Sequence, residues 1–219
     1  MIARTSTDAY RDKSVDIRQI AKELGARYVL EGSVQKSDAK VRIVAQLIDG
    51  RTGDHVWADR YDREGTDPLA LQDEVTEKII ATISGDAGLI KKHEYEAAWG
   101  KNTADLGEYD YYLRGHSLFM HFTQEDNNEA MRIWSEGLAK YPDSALLKIK
   151  IGTGYDLLAS FWSENPESDF ATAERSVREG LAGDPPAFAK GIAHMVLADV
   201  AIYLKSDFDG ALRERSIAL

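Results

Sequence analysis

The chain contains Glu129-Ala-Met-Arg-Ile-Trp-Ser-Glu-Gly-Leu-Ala-Lys-Tyr-Pro142 and, 43 residues further on, Thr172-Ala-Glu-Arg-Ser-Val-Arg-Glu-Gly-Leu-Ala-Gly-Asp-Pro185. Both stretches share an alanine, an apolar residue four positions later, Glu-Gly-Leu-Ala and a closing proline. A third copy begins at Gly210 and reaches Leu219 before its proline is due. Recurrence at this period is typical of stacked helical repeats, in which each helix pair covers the apolar face of its neighbour. The sequence predicts three helix pairs, at about 108–143, 144–186 and 187–219, with the last one truncated.

Small residues and prolines in these copies explain how the helices would pack. Ala130, Ala173 and Ala211 allow the second helix of each pair to approach the first closely. The proline then ends the second helix before the next pair begins. We therefore expect residues 108–219 to form an all-α helical repeat array.

Residues 1–85 carry strand patterns instead. Apolar and polar residues alternate in three runs, which predicts strands at Arg27–Val34, Lys40–Ile48 and His55–Tyr61. Turn-forming residues separate these runs, so an antiparallel meander is expected. A short strand at Ile2–Arg4 is predicted to precede it.

Two helices are expected beside this meander. The first places Ile17, Ile20, Ala21 and Leu24 on one face and has Gly25 as its C-cap. The second runs from about Pro68 to Ile83, with an apolar stripe at Leu71, Val75, Ile79 and Ile83. The predicted fold class is an α+β N-terminal domain (an antiparallel meander with helices on one face) followed by the all-α array. The predicted boundaries are 1–85 for the domain, 86–107 for a linker and 108–219 for the repeats.

Composition excludes several functions. The 219 residues include 27 Lys and Arg, 37 Asp and Glu and no cysteine, giving a net charge of −10. Such acidity argues against nucleic acid as a ligand, because phosphate binding needs clustered cations. Without cysteine there is no disulfide, thiolate metal site or cysteine nucleophile. No apolar run approaches the ~18 residues of a membrane span.

Motifs for catalysis are also missing from the sequence. It has no phosphate-binding Gly-x-x-x-x-Gly-Lys-Ser/Thr and no Gly-x-Ser-x-Gly. His116 and His121 are five residues apart, whereas a helical metal pair prefers a spacing of four. We therefore predict no catalytic, cofactor-binding or metal-binding residues.

The helical half resembles tetratricopeptide (TPR) repeats, through Gly115, Ala130, Trp134 and Pro142 in the first pair and Gly152, Ala173, Val177 and Pro185 in the second. Both pairs exceed the 34 residues of that family, and we expect the additional residues in extended turns at Thr123–Asn128 and Ser160–Asp169. By this resemblance, one face of the first helix lines a concave groove. Tyr109, Tyr112, His116 and Phe119 recur on one helical face and are the candidate partner-binding residues, although core packing would explain them equally well.

The first half resembles the TolB N-terminal-like (FlgO-like) α/β domain, through the segments Ile2–Ser6, Val15–Ile20, Arg27–Val34 and Gly53–Arg63. In bacterial signalling proteins this domain commonly precedes TPR repeats. The combination sits C-terminal to a class III adenylate or guanylate cyclase domain or to a CadC-like winged-helix domain. The resemblance implies a non-catalytic protein-interaction and regulatory module from the C-terminal region of an adenylate cyclase. The alternatives are the sensor part of a CadC-like transcriptional regulator and a fragment that contributes to cyclase activity in trans.

The sequence also leads to expectations about the binding partner of the chain and its location in the cell. The partner would be a protein or peptide, favoured to be basic because the helical half carries most of the negative charge, together with an associated cyclase or other output domain. The location would be cytoplasmic, with the periplasm as the alternative. Because the third repeat lacks a closing helix, we expect an exposed apolar surface near Ile202, Leu212 and Ile217 and self-association through it.

Overall fold

A computed structural model describes residues 7, 9–10, 15–37, 40–64, 68–85 and 88–218. The chain forms two compact units, Met1–His93 and Glu94–Leu219. The division falls inside the predicted linker 86–107, and the predicted domain boundaries themselves stay a prediction. The predicted fold class is confirmed: an antiparallel sheet with helices is followed by an all-helical part.

The first unit is built on a three-stranded antiparallel sheet. Its elements in the described residues are α1 (Ile17–Leu24), β1 (Tyr28–Ser37), β2 (Lys40–Asp49), β3 (His55–Glu64) and α2 (Pro68–Ile83). The strand order is β1-β2-β3, and a register shift interrupts the β2–β3 pairing at Leu47 and Ile48. This confirms the predicted meander, whereas the predicted strand Ile2–Arg4 lies outside the described residues.

Local signals fix both helices of this unit. The carboxylate of Asp16 accepts the Arg18 N–H at 2.9 Å and caps the start of α1, which ends at Gly25 in the left-handed conformation (φ 62°). Gly25 is thus the predicted C-cap. Helix α2 begins at Pro68 as predicted, and its Val75 and Ile79 pack on an apolar cluster of the sheet formed by Val41, Ile43, Trp57 and Tyr61. The side chain of Leu71, in the same predicted stripe, lies outside the described residues.

A buried carboxylate holds the turn between β2 and β3. Asp49 is almost fully buried and accepts the Arg51 N–H at 2.9 Å. Its Oδ2 lies 3.3 Å from His93 Nε2 and 3.9 Å from Arg27 Nε. Burial by itself would raise the pKa of Asp49, but the Arg51 hydrogen bond and the charges of Arg51 and Arg27 together lower it below the ordinary value.

The second unit consists of helix pairs. Helix α3 (Leu89–Trp99) contains the division between the units, and a short 3-10 helix follows at Thr103–Asp105. The pairs are α4 (Glu108–Phe119) with α5 (Gln124–Lys140), α6 (Ala145–Phe161) with α7 (Pro166–Leu181), and α8 (Ala187–Tyr203) with α9 (Phe208–Ala218). Among the described residues, no helix combines the length and apolarity needed to cross a membrane.

The repeat is visible in how these helices touch. The second helices α5 and α7 each pack against the first helix of their own pair and that of the next, and the first helices α4, α6 and α8 contact one another in succession. Trp134 packs against Gly115, and 43 residues later Val177 packs against Gly152. A Cβ at either glycine would lie less than 3 Å from the opposing side chain, so the close approach requires glycine there.

The predicted extended turns are wrong. Helix α5 begins at Gln124, α6 continues to Phe161 and α7 begins at Pro166, so most of Thr123–Asn128 and Ser160–Asp169 is helical. Thr123 Oγ1 caps α5 by accepting the Asp126 N–H at 3.1 Å, and Asn165 caps α7. The polar residues that resembled loop sequence are therefore N-caps and first turns, and the extra length lies in longer helices.

Candidate functional site

The four candidate side chains form one row of rings along α4. Their spacing of three and four residues places them on the same helical face. The ring centroids of Tyr109 and Tyr112 are 5.2 Å apart, those of Tyr112 and His116 are 5.3 Å apart, and those of His116 and Phe119 are 6.2 Å apart. The row is therefore continuous from the beginning of the helix to its end.

Neighbouring helices cover the middle of this row. Tyr112 is 3% exposed and His116 is also buried. The ring of Tyr95 on α3 meets His116 edge-on at 6.2 Å, and Phe188 on α8 lies 5.9 Å from Tyr112. Tyr112 and His116 thus belong to the core of this unit, and a role for them in partner binding stays a prediction. Tyr109, at 41% exposed, is the most accessible member of the row.

Tyr109 lines a cleft of about 810 Å³ at the end of the array where one helix pair connects to the next. Tyr141 and the turn residues Pro142 and Pro186 form part of its wall. The carboxylate residues of its lining are Glu108, Asp143 and Asp184. An aromatic surface with an acidic rim is suited to a peptide that carries basic side chains.

The lysine of this cleft donates its hydrogen bonds to backbone carbonyls. Lys140 Nζ donates to the Leu106 carbonyl at 2.9 Å and to that of Ala104 at 3.3 Å. The Tyr141 hydroxyl donates to the same Leu106 carbonyl at 3.0 Å. These bonds fix one wall of the cleft and hold the Lys140 ammonium against the backbone. The lining carries three carboxylates against this one cation, and Asp184 also lies 3.7 Å from Lys190 Nζ.

A buried lysine lies behind the far end of the aromatic row. Lys150 on α6 is almost fully buried, and its ammonium lies 4.9 Å from the ring centroid of Phe119 and 5.2 Å from that of Trp134. Both distances are within the range of cation–π attraction. Sequence reasoning missed this residue, because a lysine on a helix is usually exposed.

Two carboxylates on the first helices were also missed. Burial, helped by the charge of Asp199, raises the pKa of Asp156 on α6 to about 7. Burial likewise raises the pKa of Asp199 on α8, against the opposing effect of Arg215, whose Nη2 lies 3.1 Å from Asp199 Oδ1. Each aspartate lies on the first helix of its pair, and no motif in the sequence marked either of them.

The predicted apolar surface near the C-terminal end is present in part. Leu212 and Ile217 on α9 are each more than half exposed. Ile202 is instead partly buried against Ala198, Ala201 and Ala211. Self-association through this surface stays a prediction. Within the ranges that the structure describes, no three His, Asp or Glu side chains are grouped so that they could hold a metal ion.

Comparison with known proteins links the chain to a cyclase-related protein. No protein-family model matches the sequence. Over 133 residues, or 61% of the chain, it is 41% identical to a protein of Rhizobium meliloti (strain 1021) named "Putative adenylate cyclase 3". The match covers 22% of that protein, so the chain spans about a fifth of the length of this relative.

Proposed function

We propose that this chain is a non-catalytic protein-interaction and regulatory module of a bacterial signalling protein, the C-terminal region of an adenylate cyclase. Its helix pairs act as TPR-like repeats, and its first unit acts as a TolB N-terminal-like domain. The similarity to the Rhizobium meliloti protein supports the association with a cyclase. The chemistry is assigned to another part of the parent protein. Because a cyclase uses ATP, the module would work in the cytoplasm.

The observation that carries this proposal is the exposed Tyr109 ring in its acidic cleft. Aromatic anchors in a pocket supply much of the affinity of protein interfaces. The ring of Tyr109 packs against that of Tyr112, which in turn contacts the ring of Phe188. A ring supported in this way loses little conformational freedom when a ligand binds, which favours affinity.

Binding would proceed by docking of a basic peptide segment. The carboxylates of Glu108, Asp143 and Asp184 attract its Lys or Arg side chains, and Tyr109 contacts its apolar or cationic portion. Such a segment spans the turns of two successive helix pairs, so binding would stiffen the array. A ligand that binds one arrangement of the array more tightly than another shifts the equilibrium toward the first arrangement, by the difference between its two binding free energies. An attached output domain would respond to that shift.

Photo-crosslinking at the cleft tests this proposal. The purified chain with p-benzoylphenylalanine in place of Tyr109 is irradiated in bacterial lysate, and the cross-linked peptides are identified by mass spectrometry. The same group at the exposed Ser135 on α5 is the control. The proposal expects a partner that is linked from position 109 alone, through a segment rich in Lys or Arg, and that is lost in Asp184→Lys. Equal capture from positions 109 and 135 would contradict it.

A separate assay addresses the absence of catalysis. The purified chain is incubated with ATP or GTP and a divalent metal ion, and cyclic nucleotide is quantified by mass spectrometry. We expect no product above that of a heat-denatured control. Product formation by the native chain would favour the alternative in which it contributes to cyclase activity.

A further inference from the structure

A second aromatic surface lies at the turns within the helix pairs. Phe122 in the first of these turns and Phe161 and Trp162 at the second form what we call the aromatic turn patch. The ring centroid of Phe122 is 5.3 Å from that of Phe161 and 5.8 Å from that of Trp162, with edge-on geometry in both cases. Despite these contacts Phe122 is 56% exposed and Phe161 is 62% exposed. Two helix pairs thus contribute to one outward-facing cluster.

The backbone holds this patch in place. Phe122 has φ 56°, a left-handed conformation that is unfavourable for a bulky side chain. Its N–H nevertheless donates to the Phe119 carbonyl at 3.2 Å, and Thr123 caps the next helix. On the other side Ser163 donates its N–H to the Leu158 carbonyl at 2.9 Å and its hydroxyl to Asp169 at 2.5 Å. Both turns are therefore pinned, and the rings are presented by a rigid frame.

The charge around the patch has one sign. Residues 115–131 and 151–174, which include both turns, contain no Lys or Arg. The exposed carboxylate residues Glu125, Glu164 and Glu167 lie within five positions of the aromatic residues, and none of them has an ion-pair partner in the described part of the chain. A ligand at the patch would therefore meet apolar rings in turns whose neighbouring residues carry these carboxylates and no Lys or Arg.

We infer that the aromatic turn patch is a docking surface for a segment of another protein in which a large apolar side chain is flanked by Arg or Lys. The apolar side chain packs on the three rings, and the cations pair with the carboxylates and with the ring faces. Pinned aromatic residues give such a contact affinity with little loss of conformational entropy. This inference does not rest on the proposed function.

The charge of the chain argues against a second copy as the occupant of this patch, and the position of the patch separates it from the Tyr109 cleft. A second copy of the chain is a poor occupant, because the chain has a net charge of −10 and the surroundings of its own patch are acidic. The patch is also remote from the Tyr109 cleft. Tyr109 and Phe119 are ten helical positions apart on α4, which at 1.5 Å per residue is about 15 Å, and Phe122 lies in the turn beyond Phe119. Variants at the two surfaces can therefore be tested separately.

A defined peptide tests the inference with the full chain. The probe is acetyl-Gly-Arg-Leu-Arg-Leu-Arg-Gly-amide, compared with one peptide in which Glu replaces each Arg and another in which Ser replaces each Leu. Binding is followed through the indole N–H signals of the four tryptophans in a ¹⁵N-labelled sample, with the Trp162 signal assigned by its loss in Trp162→Phe. We expect the Arg-Leu peptide to shift the Trp162 signal and to saturate below about 1 mM, and each altered peptide to bind at least about tenfold more weakly.

Matched variants locate the binding site. Phe122→Gly and Phe161→Ser should each weaken the Arg-Leu peptide by about tenfold, and Glu164→Lys should weaken it and reduce its salt dependence. Phe122→Gly suits the backbone at this position, so its loss of binding would not reflect misfolding. Ser135→Ala, at an exposed position of α5 that belongs to neither surface, should leave the affinity unchanged.

Several results would overturn the inference. They are absence of a Trp162 shift at 1 mM peptide, equal binding of the Glu peptide, and unchanged affinity in both Phe122→Gly and Phe161→Ser. A dimer in sedimentation that Phe161→Ser dissociates would also overturn it, because the occupant would then be a second copy. Failure of the Tyr109 cross-linking experiment would leave this inference standing, since the two surfaces do not share residues.

Discussion

Replacing Asp156 with asparagine should remove a pH dependence of stability from the helical unit. Burial and the charge of Asp199 raise the pKa of Asp156 to about 7 in the folded chain. In the unfolded chain the pKa of an aspartate is about 3.9. The difference corresponds to about 4 kcal/mol of free energy, at about 1.4 kcal/mol for each pH unit.

The direction of this pH dependence follows from the number of protons that the folded and the unfolded chain bind. Between about pH 4 and pH 7 the folded chain keeps the Asp156 proton, whereas the unfolded chain has released it. The free energy of unfolding therefore falls as the pH rises through this range, and it becomes independent of this group above about pH 7. Asp156→Asn carries no such proton, so it should match the parent near pH 4. At pH 8 it should be more stable by up to about 4 kcal/mol.

Urea unfolding, followed by circular dichroism at half-unit intervals from pH 4 to pH 8, measures this difference. Glu179→Gln, at an exposed carboxylate on α7, is the control and should run parallel to the parent. Asp199→Asn should lower the pKa of Asp156 and move the end of the slope to lower pH, because one of its two causes is removed. Parallel profiles for the parent and Asp156→Asn would refute the reasoning.

Three further substitutions test other contacts. Gly152→Ala would place a Cβ 2.6 Å from Val177 Cγ1, and we expect it to lower the free energy of unfolding by about 1–2 kcal/mol in urea titrations, because overpacking exceeds the gain in helix propensity. Asp49→Asn should cost about 1–3 kcal/mol at pH 7 by weakening the bonds around the Arg51 turn; since the pKa of Asp49 is lowered, the loss should shrink below about pH 4 in the same titrations. Phe122→Gly should change the unfolding free energy by less than about 1 kcal/mol, because relief of the backbone strain offsets the added entropy of glycine, and thermal unfolding would show this.

Much of the fold was predictable because short-range signals decide it. Pro68 and Gly25 mark helix ends through their own backbone preferences, and alternation with turn residues defines the meander. The repeat copies predicted the helix pairs because the packing of Trp134 and Val177 on glycines recurs. The predicted turns were wrong because threonine and asparagine, the types found at positions 123 and 165, are common both in loops and at helix N-caps. The neighbouring sequence does not distinguish a loop residue from an N-cap.

The candidate site shows where periodicity stops being informative. Spacing alone placed four aromatic residues on one face of α4. The exposure of these side chains depends on Tyr95 and Phe188, which belong to other helices and contact the row only in the folded chain. Tyr112 and His116 are covered for this reason, and the accessible rings are Tyr109 at the start of the row and Phe122 beyond its end. Phe122 follows no helical period, so no amphipathic pattern could reveal it; its positive φ and its contacts across two helix pairs could be seen only in the structure. In an array of stacked helices the regular positions hold the pairs together, and the turns remain available for partners.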